Sequence, residues 1–336
     1  MPAPRISRRL FVVALLAGPA AALRAETPSP GVQVLSPPPN RTAPVVTAIA
    51  LEPQGPLVAT AGDDHLVRLW DRTSGRLVRE LRGHRDWVRA VAFSPDGKTL
   101  ATAGDDSRIL LWNPASGNQF GELPGDGFRI TCLTYSPDGK WLAEAGFRGK
   151  LRLFDVASKQ LKHELACPCE DMRSIAFSPD GRWLAGAGRN GRMRAWNTAT
   201  MEQAQQFKAH GRRVRGIAFL ADGTLVSASE AGDIRGWDLA TGEERFALDS
   251  RPAKVMSVVA VSGDRIATGG SDDLIRIWDL GRKVELGRLA GHRGSVTALA
   301  ADGQTLASGS FDTTARVWDL SRLAAGPTAA LEAERQ

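Results

Sequence analysis

The chain has 336 residues, 35 glycines, three cysteines and a formal net charge of +6. Four of the surplus positive charges lie in residues 1–25, which contain no acid, so the rest of the chain carries only +2. This small charge argues against nucleic-acid binding, and three cysteines are too few for a framework of several disulfides. The sequence also lacks the long polar tracts and heptad patterns that indicate disordered proteins and coiled coils.

The N-terminus has the pattern of an export signal. Basic residues extend to Arg9, an apolar run follows from Leu10 to Leu23, and the region is rich in Ala. The apolar run contains Gly18-Pro19 and is shorter than the roughly 20 residues of a membrane-spanning helix. Ser7-Arg8-Arg9-Leu10-Phe11 resembles the bacterial twin-arginine signal, with general secretion as the alternative route. We therefore expect residues 1–25 to be removed, leaving a soluble periplasmic or extracellular protein that does not span a membrane.

A Pro-rich segment follows at residues 26–42, and residues 43–320 then form seven similar units. An aromatic residue returns in these units at intervals of 40 to 42 residues. A period near forty, with short apolar runs between turns, indicates four-stranded units that bury their faces by stacking on one another. We therefore predict one all-β repeat domain. The recurring aromatic residues are Trp70, Trp112, Phe154, Trp196, Trp237, Trp278 and Trp318.

Residues 82–123 show the pattern within one unit. Short apolar segments alternate there with turns such as Ser94-Pro95-Asp96-Gly97, in which Pro presets φ and Gly accepts a positive φ. The segments are too short for anything except a meander of antiparallel strands. We expect these strands at residues 87–93, 99–102, 108–112 and 118–123.

Gly83-His84 and Gly291-His292 open two of the units, and Trp-Asp pairs such as Trp278-Asp279 end others. This combination resembles the WD40 repeat family over residues 31–320. The resemblance implies an all-β, seven-bladed β-propeller of four-stranded antiparallel blades, with each first strand innermost along a central channel. The last unit runs into an Ala-rich tail, residues 321–336, without a fourth strand. We expect residues 31–35 to supply that strand and close the ring, so that no sheet edge stays open.

Two units contain a complete set of a His, a Ser or Thr, an Asp and a Trp. In the WD40 family these side chains form a hydrogen-bond network within each blade, which satisfies buried polar atoms. A catalytic triad would occur once, in a pocket, so we interpret the sets as structural and predict that the protein is not an enzyme. The sets are His84, Thr102, Asp106 and Trp112, and His292, Ser308, Asp312 and Trp318.

The other five units lack at least one member of the set. Blade 5 has Ala231 in the position of the Asp. Blade 3 has Glu144 and Arg148 in the positions of the Ser or Thr and of the Asp, and we expect them to form a substitute ion pair, with a looser blade as the alternative. In doublets such as Asp105-Asp106, the second Asp belongs to the network, which leaves the first free to face outward.

Cys167-Pro168-Cys169 stands where blade 4 would have its Gly-His pair. The two thiols can stay free or pair with another protein, form a disulfide, or bind a soft metal. A zinc site needs four ligands and the sequence has no second Cys pair, so we predict neither a metal nor a cofactor. Cys132 lies in the first strand of blade 3, where we expect it to fill the core.

In the WD40 family, the loops before the first strands and the turns between the second and third strands share one face, called the top face. Exposed Trp and Arg side chains are typical of interaction hot spots, and loops that converge on one face favour binding. We expect this face to bind a protein or peptide, and its arginines favour an acidic one. The candidate partner-binding residues are Trp87, Arg89, Arg129, Phe147, Arg173, Arg189, Arg213, Arg215 and Phe311.

Two other functions are alternatives to a binding scaffold outside the cytoplasm. An extracytoplasmic enzyme would need acid-base groups or metal ligands at the channel mouth. The equivalent first-strand positions carry no carboxylate or His, which argues against that function. The second alternative is binding of an anionic envelope polymer, with which the arginines of this face are also compatible. The first-strand positions are Thr47, Arg89, Thr131, Arg173, Arg215, Met256 and Thr297.

Overall fold

The computed structural model describes residues 32–37, 43–167, 169 and 171–321. The expected signal peptide, residues 1–25, lies outside these residues, as does most of the Pro-rich segment and of the tail from 321 to 336. In the part of the chain that is described, no helix is long and apolar enough to span a membrane.

The described residues form 28 strands, numbered here in chain order. β1 is Val32–Leu35, and blade 1 contains β2 (Val46–Leu51), β3 (Leu57–Gly62), β4 (Leu66–Asp71) and β5 (Leu77–Arg82). Blade 2 contains β6 (Val88–Phe93), β7 (Leu100–Gly104), β8 (Ile109–Trp112) and β9 (Gln119–Leu123). Blade 3 contains β10 (Ile130–Tyr135), β11 (Trp141–Gly146), β12 (Lys150–Asp155) and β13 (Gln160–Ala166). Blade 4 contains β14 (Met172–Phe177), β15 (Trp183–Gly188), β16 (Arg192–Asn197) and β17 (Gln203–Lys208).

The remaining strands belong to the last three blades. Blade 5 contains β18 (Val214–Phe219), β19 (Leu225–Ser229), β20 (Asp233–Trp237) and β21 (Glu244–Asp249). Blade 6 contains β22 (Val255–Ala260), β23 (Arg265–Gly270), β24 (Ile275–Asp279) and β25 (Val284–Leu289). Blade 7 contains β26 (Val296–Asp302), β27 (Thr305–Ser310) and β28 (Ala315–Asp319).

The strands make seven four-stranded antiparallel sheets, which confirms the predicted seven-bladed propeller. The first strands contact one another in a closed cycle from β2 through β6, β10, β14, β18, β22 and β26 back to β2. Side chains on them bridge neighbouring blades: Thr47 Oγ1 donates to the carbonyl of Val88 at 2.9 Å, and Thr297 Oγ1 to that of Val46 at 3.0 Å. The first strands therefore surround the central channel.

The hydrophobic cores lie between blades rather than inside them. One core joins Leu69 and Leu81 of blade 1 to Val88 and Leu100 of blade 2, all buried. A single four-stranded sheet has no second layer on which to bury its faces, so each blade obtains one from its neighbour. The end of the ring is consequently the place where a missing strand matters most.

The N-terminal strand fills that place, as the sequence predicts. β1 pairs with β28 over its whole length, from Val32 opposite Trp318 to Leu35 opposite Ala315. Leu35 is 1% exposed and packs in the core between blades 7 and 1. Blade 7 is thus completed from the other end of the chain.

Candidate functional site

The complete polar set of blade 2 is a continuous hydrogen-bond chain. Trp112 Nε1 donates to Thr102 Oγ1 at 2.8 Å, and His84 lies 2.7 Å from Thr102 Oγ1 through Nε2 and 2.8 Å from Asp106 Oδ2 through Nδ1. Every group is satisfied when the Thr hydroxyl donates to Nε2 and Nδ1–H donates to the carboxylate. In blade 7 the same contacts join His292 to Asp312 (2.9 Å) and Ser308 (2.7 Å), and Trp318 to Ser308 (2.8 Å).

These sets are closed to a substrate. Thr102 is fully buried and His84 nearly so, and each of their hydrogen-bonding atoms already has a partner. Burial alone would raise the pKa of Asp106, but hydrogen bonds from His84 and from the Arg85 amide outweigh it, and the net pKa is lowered. The carboxylate therefore stays ionised as a fixed acceptor, which suits a structural network.

The sequence-based reading of blade 5 was wrong about its acid. Asp233, not the residue at 231, completes the set: its Oδ2 lies 2.5 Å from His210 Nδ1, and His210 Nε2 lies 2.7 Å from Ser227 Oγ. Asp233 is the first residue of β20, two positions beyond Ala231. Comparing repeats position by position therefore missed a carboxylate that reaches the His from the strand instead of the turn.

Where the His is missing, an Arg on the third strand takes its place. Arg68 and Arg276 are buried, and each contacts the Asp of its own blade, Asp64 and Asp272, at 2.5 Å. Both arginines stand directly opposite the Thr of the set in the strand register. Blades 1 and 6 therefore satisfy the Asp with a guanidinium, a substitution that the sequence pattern did not indicate.

The predicted ion pair between Glu144 and Arg148 of blade 3 is wrong. Glu144 instead bonds to Arg152, which lies directly opposite it across β11 and β12, and both side chains are buried. Arg148 lies in the turn that joins β11 to β12 and contacts Asp126 at 3.4 Å. Cross-strand register, not proximity along the chain, selects the partner of a buried charge here.

Blade 4 replaces the polar set with sulfur. Cys167 and Cys169 form a disulfide, one of the three states that the sequence leaves open. Cys169 is fully buried, with its Sγ 3.8 Å from the carbonyl of Gly186, the residue in the position of Thr102. Cys132 is free, and burial raises the pKa of its thiol to about 12. Within the described residues, no group of three or more His, Cys, Asp or Glu side chains is placed to hold a metal ion.

The top face forms as the repeat pattern indicates. The turn amides bond to the carbonyls of the loops before the first strands: Asp105 to Trp87 at 2.9 Å, and Phe147 to Arg129 at 3.3 Å. Phe311 makes the same contact in blade 7, at 3.1 Å to Ser295. The predicted residues of different blades are thus presented at equivalent places on one face.

Exposed aromatic rings in blades 2 and 3 of this face are each stacked with an arginine. The Arg89 guanidinium lies 4.3 Å from the centre of the Trp87 ring, and Trp87 is 37% exposed. Phe147, 42% exposed, has Arg173 of blade 4 at 5.1 Å. Phe311, also exposed, lies in blade 7, apart from these aromatic rings.

The sequence analysis missed a third pair of this kind. Phe128 is 45% exposed in the loop before β10, and the guanidinium of Arg148 lies 5.0 Å from its ring. Its position next to the candidate Arg129 was the available signal. Trp87, Phe128 and Phe147 with their arginines are called the aromatic sector below.

Most of the candidate arginines of the top face are neutralised within the protein. Arg89 donates two hydrogen bonds to Asp105, at 3.1 and 2.8 Å, and the Asp105 side chain is only 7% exposed. The expectation that Asp105 faces outward is therefore wrong. Among the described residues, neither Arg129 nor Arg189 forms a salt bridge, and both are exposed. The other three candidate arginines share two carboxylates: Arg173, Arg213 and Arg215 contact Asp171 and Glu230.

Comparison with known families matches nearly the whole propeller. The family model described as the IFT122 first beta-propeller matches residues 45–283, more than half of the chain. The model described as the WD domain, G-beta repeat matches residues 283–319, which include β25 of blade 6 and β26 to β28 of blade 7. A comparison of the chain with curated proteins found no match.

Proposed function

This chain belongs to the IFT122 first beta-propeller family of WD40 proteins, and we propose that it is a non-enzymatic module whose top face binds a protein or peptide. WD40 propellers are generally interaction scaffolds, and the buried, fully bonded His sets support a structural role for the residues that most resemble a catalytic triad. The binding surface then has to be sought among the side chains that differ between blades.

The aromatic sector is the observation that carries this proposal. Trp87, Phe128 and Phe147 are exposed apolar rings in adjacent blades, and each is held in place by a stacked guanidinium. Such pairs present apolar area with little loss of side-chain freedom on binding. Aromatic and Arg side chains are also those that contribute most to protein interfaces.

The charges of this face favour a partner that is both apolar and acidic. Arg129 and Arg189 are exposed and form no salt bridge within the described residues, so they are available to carboxylates of a partner. Arg89 is already paired with Asp105 and is expected to act mainly by orienting Trp87. The proposed ligand is therefore a peptide or protein segment with acidic residues beside an apolar side chain.

The test compares partner capture by three forms of the purified protein from an extract of its native host. The triple variant Trp87→Ala, Phe128→Ala and Phe147→Ala is expected to lose its partner at least tenfold, because a hot-spot side chain contributes about 2 kcal/mol. The matched control is Phe120→Ala, which removes a ring that is equally exposed and has Lys159 at 5.0 Å, but lies on the outer strand β9. Equal capture by the triple variant and the wild type would contradict the proposal.

We also propose that the module acts outside the cytoplasm after export by the twin-arginine route. This rests on the N-terminal pattern around Arg8 and Arg9. Replacing both with Lys is expected to leave the unprocessed precursor in the cytoplasm, as seen by fractionation and immunoblotting. Arg5→Lys, which keeps the Arg pair, is the control and should be processed normally. Processing of the double variant at the wild-type rate would exclude this route.

A further inference from the structure

Three arginines form one charged cluster at the channel mouth between blades 4 and 5. Arg173 Nε lies 2.8 Å from Asp171 Oδ1, and Arg213 Nη2 lies 3.7 Å from Asp171 Oδ2. Arg213 Nη1 is also 3.4 Å from Glu230 Oε1, the same oxygen that Arg215 Nη2 contacts. The contacts therefore run without a break from Arg173 through Arg213 to Arg215.

The cluster stands on the inner strands of the ring. Arg173 is in β14, and Arg213 and Arg215 flank Val214 at the start of β18. The two strands are tied together by a hydrogen bond of 3.1 Å from the Ile217 amide to Ser174 Oγ. Arg173 and Arg215 are thus held on packed strands, and Arg213 directly precedes one of them.

Hydrogen-bond acceptors are too few in this cluster. Three guanidiniums offer about fifteen N–H donors, whereas two carboxylates accept about eight hydrogen bonds. The Nε atoms of all three arginines are buried without a hydrogen-bond acceptor of good geometry among the described residues, and on the acceptor side only Asp171 Oδ1, 2.8 Å from Arg173 Nε, lacks a well-aligned donor. The two contacts of Arg213, at 3.4 and 3.7 Å, are longer than a strong charge-assisted hydrogen bond. The cluster consequently has more N–H donors than the two carboxylates can accept hydrogen bonds from.

A comparison with blade 2 shows the origin of the surplus. There, one carboxylate, Asp105, serves one guanidinium, Arg89, through two hydrogen bonds. In blade 4 the turn position equivalent to Asp105 is occupied by Arg189, which is exposed and has no salt bridge among the described residues. Blade 4 therefore has a positive charge where blade 2 has a carboxylate, and the three arginines of the cluster share Asp171 and Glu230.

The electrostatics agree with this geometry. Burial is the main cause that lowers the pKa of Arg215, Glu230 opposes the shift, and the nearby charges of Arg213 and Arg173 add to it. Burial and the two neighbouring guanidiniums thus act in the same direction on the pKa of Arg215, and Glu230 opposes them. A further negative group at this point would supply acceptors and relieve the repulsion among the guanidiniums.

We propose that Arg173, Arg213 and Arg215 bind one oxyanion, a carboxylate or a phosphate group, at the channel mouth between blades 4 and 5. Guanidiniums bind both groups in a bidentate manner, and an acceptor at this point completes the donor set of Arg213. Use of this site to anchor an acidic group of the partner rests on the proposed function. Binding of the free ion does not.

The test is titration of the purified protein with sodium phosphate and, separately, sodium acetate at constant ionic strength, followed by calorimetry and by the melting temperature. At least one of the two ions is expected to bind saturably, and chloride at equal concentration is not. Which ion binds more tightly identifies the preferred oxyanion. Arg215→Gln is expected to weaken binding at least tenfold, whereas Arg89→Gln, which breaks the saturated pair of blade 2, should leave it unchanged.

Glu230→Gln provides a change in the opposite direction. It removes the carboxylate that competes for Arg213 and Arg215, so the ion is expected to bind several-fold more tightly than to the wild type. If Arg215→Gln does not fold, the comparison of Glu230→Gln with the wild type still tests whether the cluster binds the ion. The absence of saturable binding to both the wild type and Glu230→Gln would overturn the proposal, as would an equal loss in Arg89→Gln and Arg215→Gln.

The outcome is separable from that of the proposed function. If the aromatic sector captures a partner while neither ion binds, the oxyanion site is wrong and the binding module stands. If the ions bind while the aromatic variants keep their partner, the oxyanion site stands and the aromatic sector is wrong.

Discussion

Deletion of Val32–Leu35 is expected to lower the melting temperature more than any single side-chain substitution in the blades. The deletion removes the outer pairing partner of β28, which then pairs only with β27, and takes Leu35 out of the core between blades 7 and 1. Truncating one buried Leu to Ala costs about 2–5 kcal/mol, and the loss of the whole strand adds an open sheet edge. Because domains are stable by only about 5–15 kcal/mol, the deletion should remove much of that stability.

Thermal unfolding followed by circular dichroism measures this effect. A loss of about 5 kcal/mol corresponds to a decrease of roughly 10–20 °C for a domain of a few hundred residues. Gln33→Ala is the matched control: its side chain is exposed on the same strand, and its effect should stay within about 0.5 kcal/mol.

A peptide that contains residues 31–37 should partly restore the melting temperature of the deletion variant in a concentration-dependent manner. It binds only the folded ring, so mass action favours that state. A deletion variant that melts like the wild type would show that pairing of β1 with β28 does not hold the ring closed.

The closure of the ring could be predicted from the sequence because it follows from counting strands. Each unit repeats the same turn residues, and the last unit ends one strand short. The strand-like segment Val32–Leu35 could therefore be assigned to the open edge of the last blade. A pattern repeated seven times also averages out local ambiguities. For the same reason, Thr102 and Trp112 could be assigned to a network from their spacing.

The predictions that were wrong concern charged side chains whose partners lie across strands or in a neighbouring blade. Asp233 contacts His210 from the start of β20, two positions beyond the one that corresponds to the Asp of the other blades. Arg152 contacts Glu144 because the two residues lie opposite each other in the strand register. The neutralisation of Arg213 depends on Asp171, which belongs to the preceding blade. A repeat pattern shows which positions are equivalent, but partner choice among charged side chains depends on distances of a few ångströms that the pattern does not contain.

Removal of one partner of the buried ion pair in blade 3 is expected to be the most destabilising single substitution. Arg152→Leu leaves the buried Glu144 carboxylate without its guanidinium, and breaking a buried pair in this way costs about 3–5 kcal/mol. Replacing both partners by apolar residues avoids that cost. The double variant Glu144→Met with Arg152→Leu should therefore be more stable than the single variant, and blade 2 already has Leu110 in the position of Arg152.

The pH dependence identifies the unpaired carboxylate as the cause. Burial raises the pKa of Glu144 above its ordinary value of 4.5, and Arg152 opposes the shift, so its removal raises this pKa further. A raised carboxyl pKa means that the folded state binds the proton more tightly than the unfolded state. The resulting penalty is absent below pH 4.5, grows as the pH rises through the folded pKa, and is complete above it.

Melting temperatures at pH 5 and pH 8 therefore separate the variants. Arg152→Leu should fall further below the wild type at pH 8 than at pH 5, because only the ionised Glu144 carries the penalty. The double variant has no carboxyl at this site and lacks this penalty, which the raised pKa of Glu144 also imposes in part on the wild type, so it should compare with the wild type more favourably at pH 8 than at pH 5. A single variant that matches the wild type at pH 8 would mean that Glu144 obtains solvent or another partner without Arg152. The ion pair would then not be what stabilises blade 3 in place of the His network.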